Sequence, residues 1–163
     1  MEENTPKPFI DKNKATAKAE SYCAYQERSH FEVKTKLFEW GLFSKDVNEV
    51  ICELIASNFL NEERFALAYS SGKFNIKGWG KNKIKQGLRL KNVSEPLIKK
   101  ALNSLDEDAY SEKLKSVLIK RRSLIKEKER YKIKYKLHQY ALSRGYESDL
   151  IAYLLNDSDL NIL

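Results

Sequence analysis

Three helix-breaking residues at nearly equal intervals impose a repeat on this chain of 163 residues. Gly41, Asn92 and Gly145 lie 51 and 53 residues apart, and each follows a stretch in which apolar side chains recur with helical spacing. Glycine and asparagine are the residues that most readily adopt the left-handed conformation with which many helices end. The spacing therefore predicts three tandem repeats of about 50 residues each.

The apolar pattern around the three marker residues recurs at fixed distances. Eight and four residues before each marker, and one, six and ten residues after it, all fifteen side chains are apolar. They are Val33, Ile84, Leu137, Leu37, Leu88, Ala141, Leu42, Val93, Tyr146, Val47, Ile98, Ile151, Ile51, Leu102 and Leu155. Apolar residues lie three and four apart through most of the chain, and strand-like alternation is brief, so every repeat is predicted to be helical.

Each repeat is predicted to contain three helices. The expected helices are 12–28, 29–40 and 44–57 in the first repeat (12–60), 61–75, 80–91 and 94–104 in the second (61–105), and 107–122, 127–143 and 148–156 in the third (106–157). Residues 1–11 and 158–163 are expected to be tails. One three-helix repeat buries too little surface to be stable alone, so neighbouring repeats must stack. The predicted fold is all-α, elongated and curved.

Several residues are expected to cap these helices. Side chains that can accept a hydrogen bond from the first turn precede five of them: Ser29, Ser44, Asn61, Ser94 and Ser148. Glu32 stands three residues after Ser29, which is the spacing of a capping box.

Composition and motifs limit the class of protein. Apolar residues make up 42% of the chain and charged residues 33%, which is typical of a globular domain. No apolar run reaches the length of about 18 residues that suggests a membrane span, and the N-terminal stretch does not resemble a signal peptide. Cys23 and Cys52 lack metal-binding spacing and are expected to be reduced thiols. A cytoplasmic protein is therefore predicted.

Catalytic signatures are missing from the sequence. It contains no GxxxxGK[ST], HExxH or GxSxG motif, and no Cys/His group has zinc-binding spacing. Most carboxylates stand at predicted helix starts, where the helix dipole favours them. The sequence therefore predicts a protein that is not an enzyme and has neither a cofactor nor a metal. It is also expected to be a monomer.

The net charge of +7 is concentrated in two segments. Residues 71–100 contain nine Lys and Arg against one acidic residue, and residues 113–136 contain eleven against two. Segregated positive charge is typical of a surface that meets a polyanion or an acidic protein. Solvated helix faces would give the same composition, so charge alone leaves both interpretations open.

The first basic segment contains the unusual stretch KGWGKNKIKQGL, residues 77–88. Lys81 and Lys83 occupy the first turn of a predicted helix, where the dipole disfavours cations by up to about 1 kcal/mol. The N–H groups of that turn, the glycines and the lysines together would suit a phosphate or carboxylate. Trp79 could stack on a base, pack on a partner, or pack on the helix that it precedes. The predicted binding residues here are Lys77, Trp79, Lys81, Lys83, Lys85 and Arg89.

The second basic segment is IKRRSLIKEKERYKIKYK, residues 119–136. Its lysines alternate with aromatic and aliphatic residues, a pattern that could serve nucleic acid or an ordinary basic amphipathic helix equally well. The predicted binding residues in this segment are Arg121, Arg122, Lys126, Lys128, Lys132, Lys134 and Lys136.

The order of several motifs resembles the RecX family of bacterial recombination regulators. The resemblance rests on SYCAYQERSHFEVKTKLFEWG (21–41), NEERFALAY (61–69), KGWGKNKIKQGL (77–88) and NVSEPLIKKAL (92–102). It covers about 16–157, closely in the first two repeats and loosely in the third. Gly87 departs from the family pattern, which usually has Glu there. Arg64, within NEERFALAY, could pair with a neighbouring carboxylate or face the partner.

The resemblance implies a fold and a function. The fold would be three tandem three-helix repeats, in agreement with the periodicity. The function would be non-enzymatic: binding in the helical groove of RecA–DNA filaments, with damping of ATP hydrolysis, strand exchange and co-protease activity in recombination, DNA repair and the SOS response. KGWGKNKIKQGL would then be a contact edge for RecA and its DNA. A non-specific DNA-binding helical protein and a scaffold for another acidic partner are the alternatives.

Overall fold

Nine α-helices form the described part of this computed structural model, which comprises residues 10–157 and 161–163 and contains no strand. The helices are α1 (Lys12–Tyr25), α2 (His30–Glu39), α3 (Ser44–Ala56), α4 (Glu62–Lys77), α5 (Lys81–Leu90), α6 (Glu95–Asn103), α7 (Glu107–Arg122), α8 (Arg130–Ser143) and α9 (Ser148–Leu155). Successive groups of three form the first, second and third repeats. The predicted all-α fold with three tandem three-helix repeats is confirmed.

The three marker residues end the second helix of each repeat as predicted. Gly41, Asn92 and Gly145 have φ values of 95°, 57° and 95°, in the left-handed region that favours glycine and asparagine. Of the fifteen apolar positions that recur around them, thirteen are buried, and Ile51 and Leu102 are partly buried. The repeat read from the sequence is therefore the repeat of the hydrophobic core.

Three helix ends differ from the prediction. α1 ends at Tyr25, because the backbone at Gln26 is extended. α4 continues to Lys77, where the left-handed Gly78 terminates it with φ 66°. α8 begins only at Arg130, after Glu129 in extended conformation.

The helix caps agree with the sequence in part. Ser29 and Glu32 form the predicted capping box, and the side chain of Asn61 accepts a hydrogen bond from the Arg64 N–H. Ser94 occupies the N-cap position without a side-chain hydrogen bond. The predictions for Ser44 and Ser148 are wrong, because these serines are the first helical residues and follow extended N-cap residues.

Both chain ends contribute more than the tails predicted there. Residues 1–9 and 158–160 lie outside the described residues, so the prediction that they are tails is not tested. Ile10 packs against the core of the first repeat, and Asp11 caps α1 by accepting from the Asn13 N–H. Ile162 is buried in the core of the second and third repeats. Ile10, Asp11 and Ile162 therefore belong to the folded repeats.

The buried side chains fall into two hydrophobic cores. One belongs to the first repeat alone and extends from Ala15 to Leu60. The other runs without interruption through the second and third repeats, from Phe65 to Ile162. Stacking through a shared apolar core is therefore a property of the last two repeats, which bury surface that each would expose alone.

The first repeat contacts the second largely through charged and polar groups. The Arg64 guanidinium donates from Nε to Glu27 Oε1 (2.9 Å), and its other nitrogens donate to Asn58. His30 Nδ1 lies 3.0 Å from Glu62 Oε2. Lys91 Nζ lies 3.0 Å from Glu32 Oε1. Arg64 thus has the structural role of joining α4 to the segment between α1 and α2.

Candidate partner and nucleic-acid interface

The turn between α4 and α5, which contains KGWG, packs directly against the third repeat. A Cβ atom on Gly80 would lie 2.4 Å from the carbonyl carbon of Gly145, so only glycine permits this approach. The Gly80 N–H donates to the Arg144 carbonyl (2.8 Å), and the Asn82 N–H donates to the Gly145 carbonyl (2.9 Å). The stretch that stood out in the sequence therefore meets, first of all, another part of its own chain.

Two buried tyrosines complete this junction. The Tyr110 hydroxyl accepts from the Lys81 N–H (2.9 Å) and donates to Glu147 Oε1. The Tyr146 hydroxyl donates to the Gly78 carbonyl (2.8 Å). Burial raises the pKa of Tyr146 to about 12. Burial, followed by the hydrogen bond to Glu147, raises the pKa of Tyr110 above its usual value. Both hydroxyls therefore stay protonated at neutral pH and join α4 and α5 to α7 and α9.

These contacts correct the expectation that the first turn of α5 offers its N–H groups to an anion. The Lys81 N–H is bonded to Tyr110 and the Asn82 N–H to Gly145. A phosphate or carboxylate would have to displace a buried hydroxyl or a backbone carbonyl to reach them. Two of the N–H groups that the expectation relied on are therefore engaged within the protein, and side chains are the main donors left for an anion at this edge.

The side chains predicted along α5 have different surroundings. Lys81 pairs with Glu107 at 2.7 Å and lies over the Tyr110 ring, and Arg89 pairs with Glu95 at 2.6 Å. Lys85 is half-buried on the same helix. Trp79 is partly buried against the core, with the Lys73 and Lys83 ammonium groups 4.8 and 4.7 Å from its ring centroid. This part of the predicted set is thus largely engaged within the protein.

Gly87, which departs from the RecX pattern, lies against Tyr69 of α4. A Cβ atom at this position would lie 2.0 Å from the Tyr69 hydroxyl. The glycine therefore accommodates a large, partly buried ring from the neighbouring helix.

Some of the predicted cations of the third repeat are held by contacts within the protein, and others are exposed. Arg122 donates to the Ile162 and Ile125 carbonyls, which makes it a structural residue. Lys132 and Lys136 pair with Glu129 and Glu127 at 2.7 and 3.0 Å. Lys134 donates to the Asn156 side chain. The remaining members are exposed, and they are Arg121, Lys126 and Lys128.

A groove lined by cations runs along α7. It begins between the end of α4 and the C-terminal ends of α7 and α8, where Lys77, Lys113, Lys120, Arg121 and Arg144 line it. It continues between α7 and α8, where Lys126 and Lys136 line it together with Tyr135, Gln139 and Tyr140. We call this surface, formed by these ten residues with Leu124, the basic groove. No carboxylate is among its lining residues in the described chain.

Sequence reasoning missed three cations of the basic groove: Lys113, Lys120 and Arg144. Two could have been found, because Lys113, Lys120 and Arg121 recur at the seven- and eight-residue spacing that places side chains on one helix face. Arg144 could not, because its Nη2 reaches the Lys77 carbonyl from a distant part of the sequence. Long-range pairing of this kind leaves no local pattern.

The described residues contain neither a metal-binding cluster nor a membrane-spanning helix. No group of three or more His, Cys, Asp or Glu side chains there is arranged to hold a metal ion. None of the nine helices combines the length and hydropathy needed to cross a bilayer.

Known proteins resemble this chain in both sequence and fold. Residues 61–102 match the model of the RecX second three-helix domain, and residues 107–155 match that of the RecX third three-helix domain. "Regulatory protein RecX" of Haemophilus influenzae (strain PittGG) is 32% identical over 136 residues, which cover 83% of this chain and 88% of the relative. The chain belongs to the RecX family. The third repeat, where the motifs resemble RecX only loosely, is as much a RecX domain as the second.

Further relatives agree with this assignment. "Regulatory protein RecX" of Clostridioides difficile (strain 630) is 28% identical over 160 residues, covering 96% of this chain and 74% of the relative. The crystal structure of RecX from Lactobacillus salivarius superimposes with a TM-score of 0.82 over 91% of this chain and 97% of that one, at 24% identity. That structure supports the RecX fold. The relatives support a regulatory role.

Proposed function

We propose that this protein regulates RecA by binding to RecA and to RecA–single-stranded DNA filaments. The observation that carries the proposal is that the RecX second and third domain models match 61–102 and 107–155, more than half of the chain. By this proposal the protein inhibits the ATPase, strand-exchange and co-protease activities of RecA. It acts in the cytoplasm, as a monomer, without a cofactor and without catalysing a reaction of its own.

The charge distribution supports a polyanionic partner. A RecA filament on DNA presents phosphates, and Lys and Arg side chains gain affinity there by releasing counterions. We propose that the contact surface uses the predicted cations that remain available for binding, which are Lys77, Lys83, Lys85, Arg121, Lys126 and Lys128. Four more predicted cations can contribute, because an exposed ion pair or hydrogen bond is weak and exchanges its partner readily. They are Arg89, Lys132, Lys134 and Lys136.

Three predicted residues are assigned a different role in this proposal. Lys81 and Arg122 are held by contacts inside the protein, and Trp79 packs against the core. They would support the contact surface by fixing the junction of the second and third repeats. KGWGKNKIKQGL thus positions cations for the partner while its backbone holds the repeats together.

A pull-down with the host's RecA tests the proposal against its alternatives. The tagged protein is incubated with RecA alone, and with RecA, single-stranded DNA and a non-hydrolysable nucleotide. Retention of RecA, strengthened by filament formation, is expected. Capture of DNA with no retention of RecA in either condition would instead favour a non-specific DNA-binding protein. Capture of neither would favour a scaffold for another acidic partner.

A further inference from the structure

The basic groove combines a high density of cations with a shape that can follow a chain. Its α7 side carries Lys113, Lys120 and Arg121 on one helix face, and Lys77 and Arg144 lie at one end. The groove then turns between α7 and α8 to Lys126 and Lys136. Lys136 pairs with Glu127 at 3.0 Å, but no carboxylate of the described chain lines the groove itself. Seven cations on such a surface suit a linear polyanion better than a single small anion.

Arg144 adds a guanidinium to the end of the groove beside α4. Its Nη2 donates to the Lys77 carbonyl, which fixes the guanidinium between α4 and α8. Its Nε is buried and donates to no acceptor in the described chain. A fixed guanidinium loses less conformational entropy on binding an anion than a mobile lysine does.

Aromatic and apolar side chains are interleaved with these cations. Tyr135 is 66% exposed and Leu124 is 66% exposed, although both lie along the groove. Tyr140 lies beneath Arg121, whose guanidinium carbon is 4.4 Å from the ring centroid. Stacking of a base on an aromatic ring stabilises single-stranded nucleic acid by about 1–3 kcal/mol per base. The groove therefore offers the two elements that single-strand binding requires.

We infer that the basic groove binds single-stranded nucleic acid, with its phosphates along the α7 cations and an unpaired base on Tyr135. The inference deepens the proposed function and rests on it only for the source of the strand, which would be the DNA at or beside a RecA filament. A duplex keeps its bases stacked internally and cannot use Tyr135. An acidic protein would be attracted by the cations but would supply no base to stack on the exposed ring.

The groove is expected to bind without regard to sequence. The lysine and arginine side chains of the groove meet the phosphates of a flexible strand. Amide side chains, which can read base edges, are limited to Gln139 in the groove and Asn75 beside it. The partner is therefore the backbone of the strand together with any stacking base.

The test measures binding of a labelled oligothymidylate of about 30 nucleotides to the full-length protein at several salt concentrations. The groove variant is Lys120→Gln/Arg121→Gln/Lys126→Gln. The control variant is Lys14→Gln/Lys34→Gln/Lys45→Gln, which removes the same charge from exposed lysines of the first repeat. Circular dichroism verifies that both are folded.

Wild type and the control variant should show the same steep salt dependence. The groove variant should bind at least tenfold more weakly, and its slope of log K against log salt should fall by about 2, at roughly 0.7 for each phosphate that is no longer neutralised. Equal affinity of the groove and control variants would overturn the inference. That result leaves the pull-down of RecA unaffected, so the failure of the groove and the failure of the proposed function are distinguishable.

A second variant and two competitors test the assignment to a single strand. Tyr135→Leu should weaken oligothymidylate binding at least fivefold with an unchanged salt slope, because the ring carries no charge. Unlabelled single strand should displace the probe more effectively than a duplex of equal length or polyglutamate. If Tyr135→Leu bound like wild type, or if either competitor equalled the single strand, the assignment would be wrong.

Discussion

Gly80 and Gly145, 65 positions apart in the sequence, are in backbone contact at the junction of the second and third repeats. A Cβ atom on Gly80 would lie 2.4 Å from the Gly145 carbonyl carbon, and one on Gly145 would lie 2.3 Å from the Lys83 Cβ. Neither position can accept a side chain without separating the two turns. The KGWG turn and the turn that ends α8 therefore hold the shared core closed.

Gly80→Ala should destabilise the protein by about 2–3 kcal/mol, because the added methyl group forces rigid backbone segments apart. Gly72→Ala is the matched control, since nothing lies within 4 Å of a Cβ there and alanine favours the helix by up to about 1 kcal/mol. The free energies of unfolding are measured in urea. Equal stability of the two variants would contradict the proposed contact.

Removing an end repeat should have opposite consequences at the two ends. A chain of residues 1–105 lacks half of the shared core, so Phe74 loses the Tyr110 ring stacked on it and the second repeat should lose cooperative folding. A chain of residues 58–163 keeps that core intact and breaks mostly polar contacts. Thermal unfolding followed by circular dichroism distinguishes them. A sharp transition in 1–105 and none in 58–163 would refute the division into two cores.

Tyr146 should make the protein sensitive to alkali. Its pKa is 10.0 in the unfolded chain and is raised to about 12 by burial, so the folded state holds the proton more tightly. Stability from this group is complete below pH 10 and is lost as the pH rises from 10 to 12, by about 2–3 kcal/mol in total. Urea unfolding at several pH values measures the loss. Tyr146→Phe should reduce it, whereas Tyr153→Phe, at an exposed site, should not.

Arg64→Ala should loosen the first repeat from the second. The substitution removes three hydrogen bonds and leaves the Glu27 carboxylate, one oxygen of which is already buried without a partner, in need of solvation. Amide hydrogen exchange should accelerate around residues 26–30 and in the first turn of α4. Arg89→Ala breaks a pair in which both side chains are more than half exposed, so it should alter little. Similar exchange in both variants would contradict the structural role of Arg64.

The repeat could be predicted from the sequence because its signals are local. Gly41, Asn92 and Gly145 adopt the left-handed conformation and end helices regardless of the tertiary contacts that follow. The apolar positions around them follow helical spacing. The capping box of Ser29 and Glu32 is local in the same way. Helix ends such as that of α4 were missed because KGWG contains two glycines, and the sequence alone does not say which of them stops the helix.

The site could be predicted less well because its residues come together from distant repeats. The lysines of α5 are conspicuous in the sequence, but nothing local indicates that Tyr110 binds the Lys81 N–H or that Glu107 pairs with the Lys81 ammonium. The basic groove likewise joins the end of α4 to α7 and α8. A charge count locates basic segments. It does not separate cations that hold the fold together from those available to a partner.

The most direct measurement is the rate of ATP hydrolysis by RecA on single-stranded DNA as this protein is added. The rate should fall at protein concentrations too low to cover the DNA, because contact with the filament, and not competition for bare strand, is the proposed cause. Binding to the oligonucleotide alone, measured in the same buffer, gives the concentration at which covering begins. An unchanged rate at every ratio of this protein to RecA would contradict the proposed regulation.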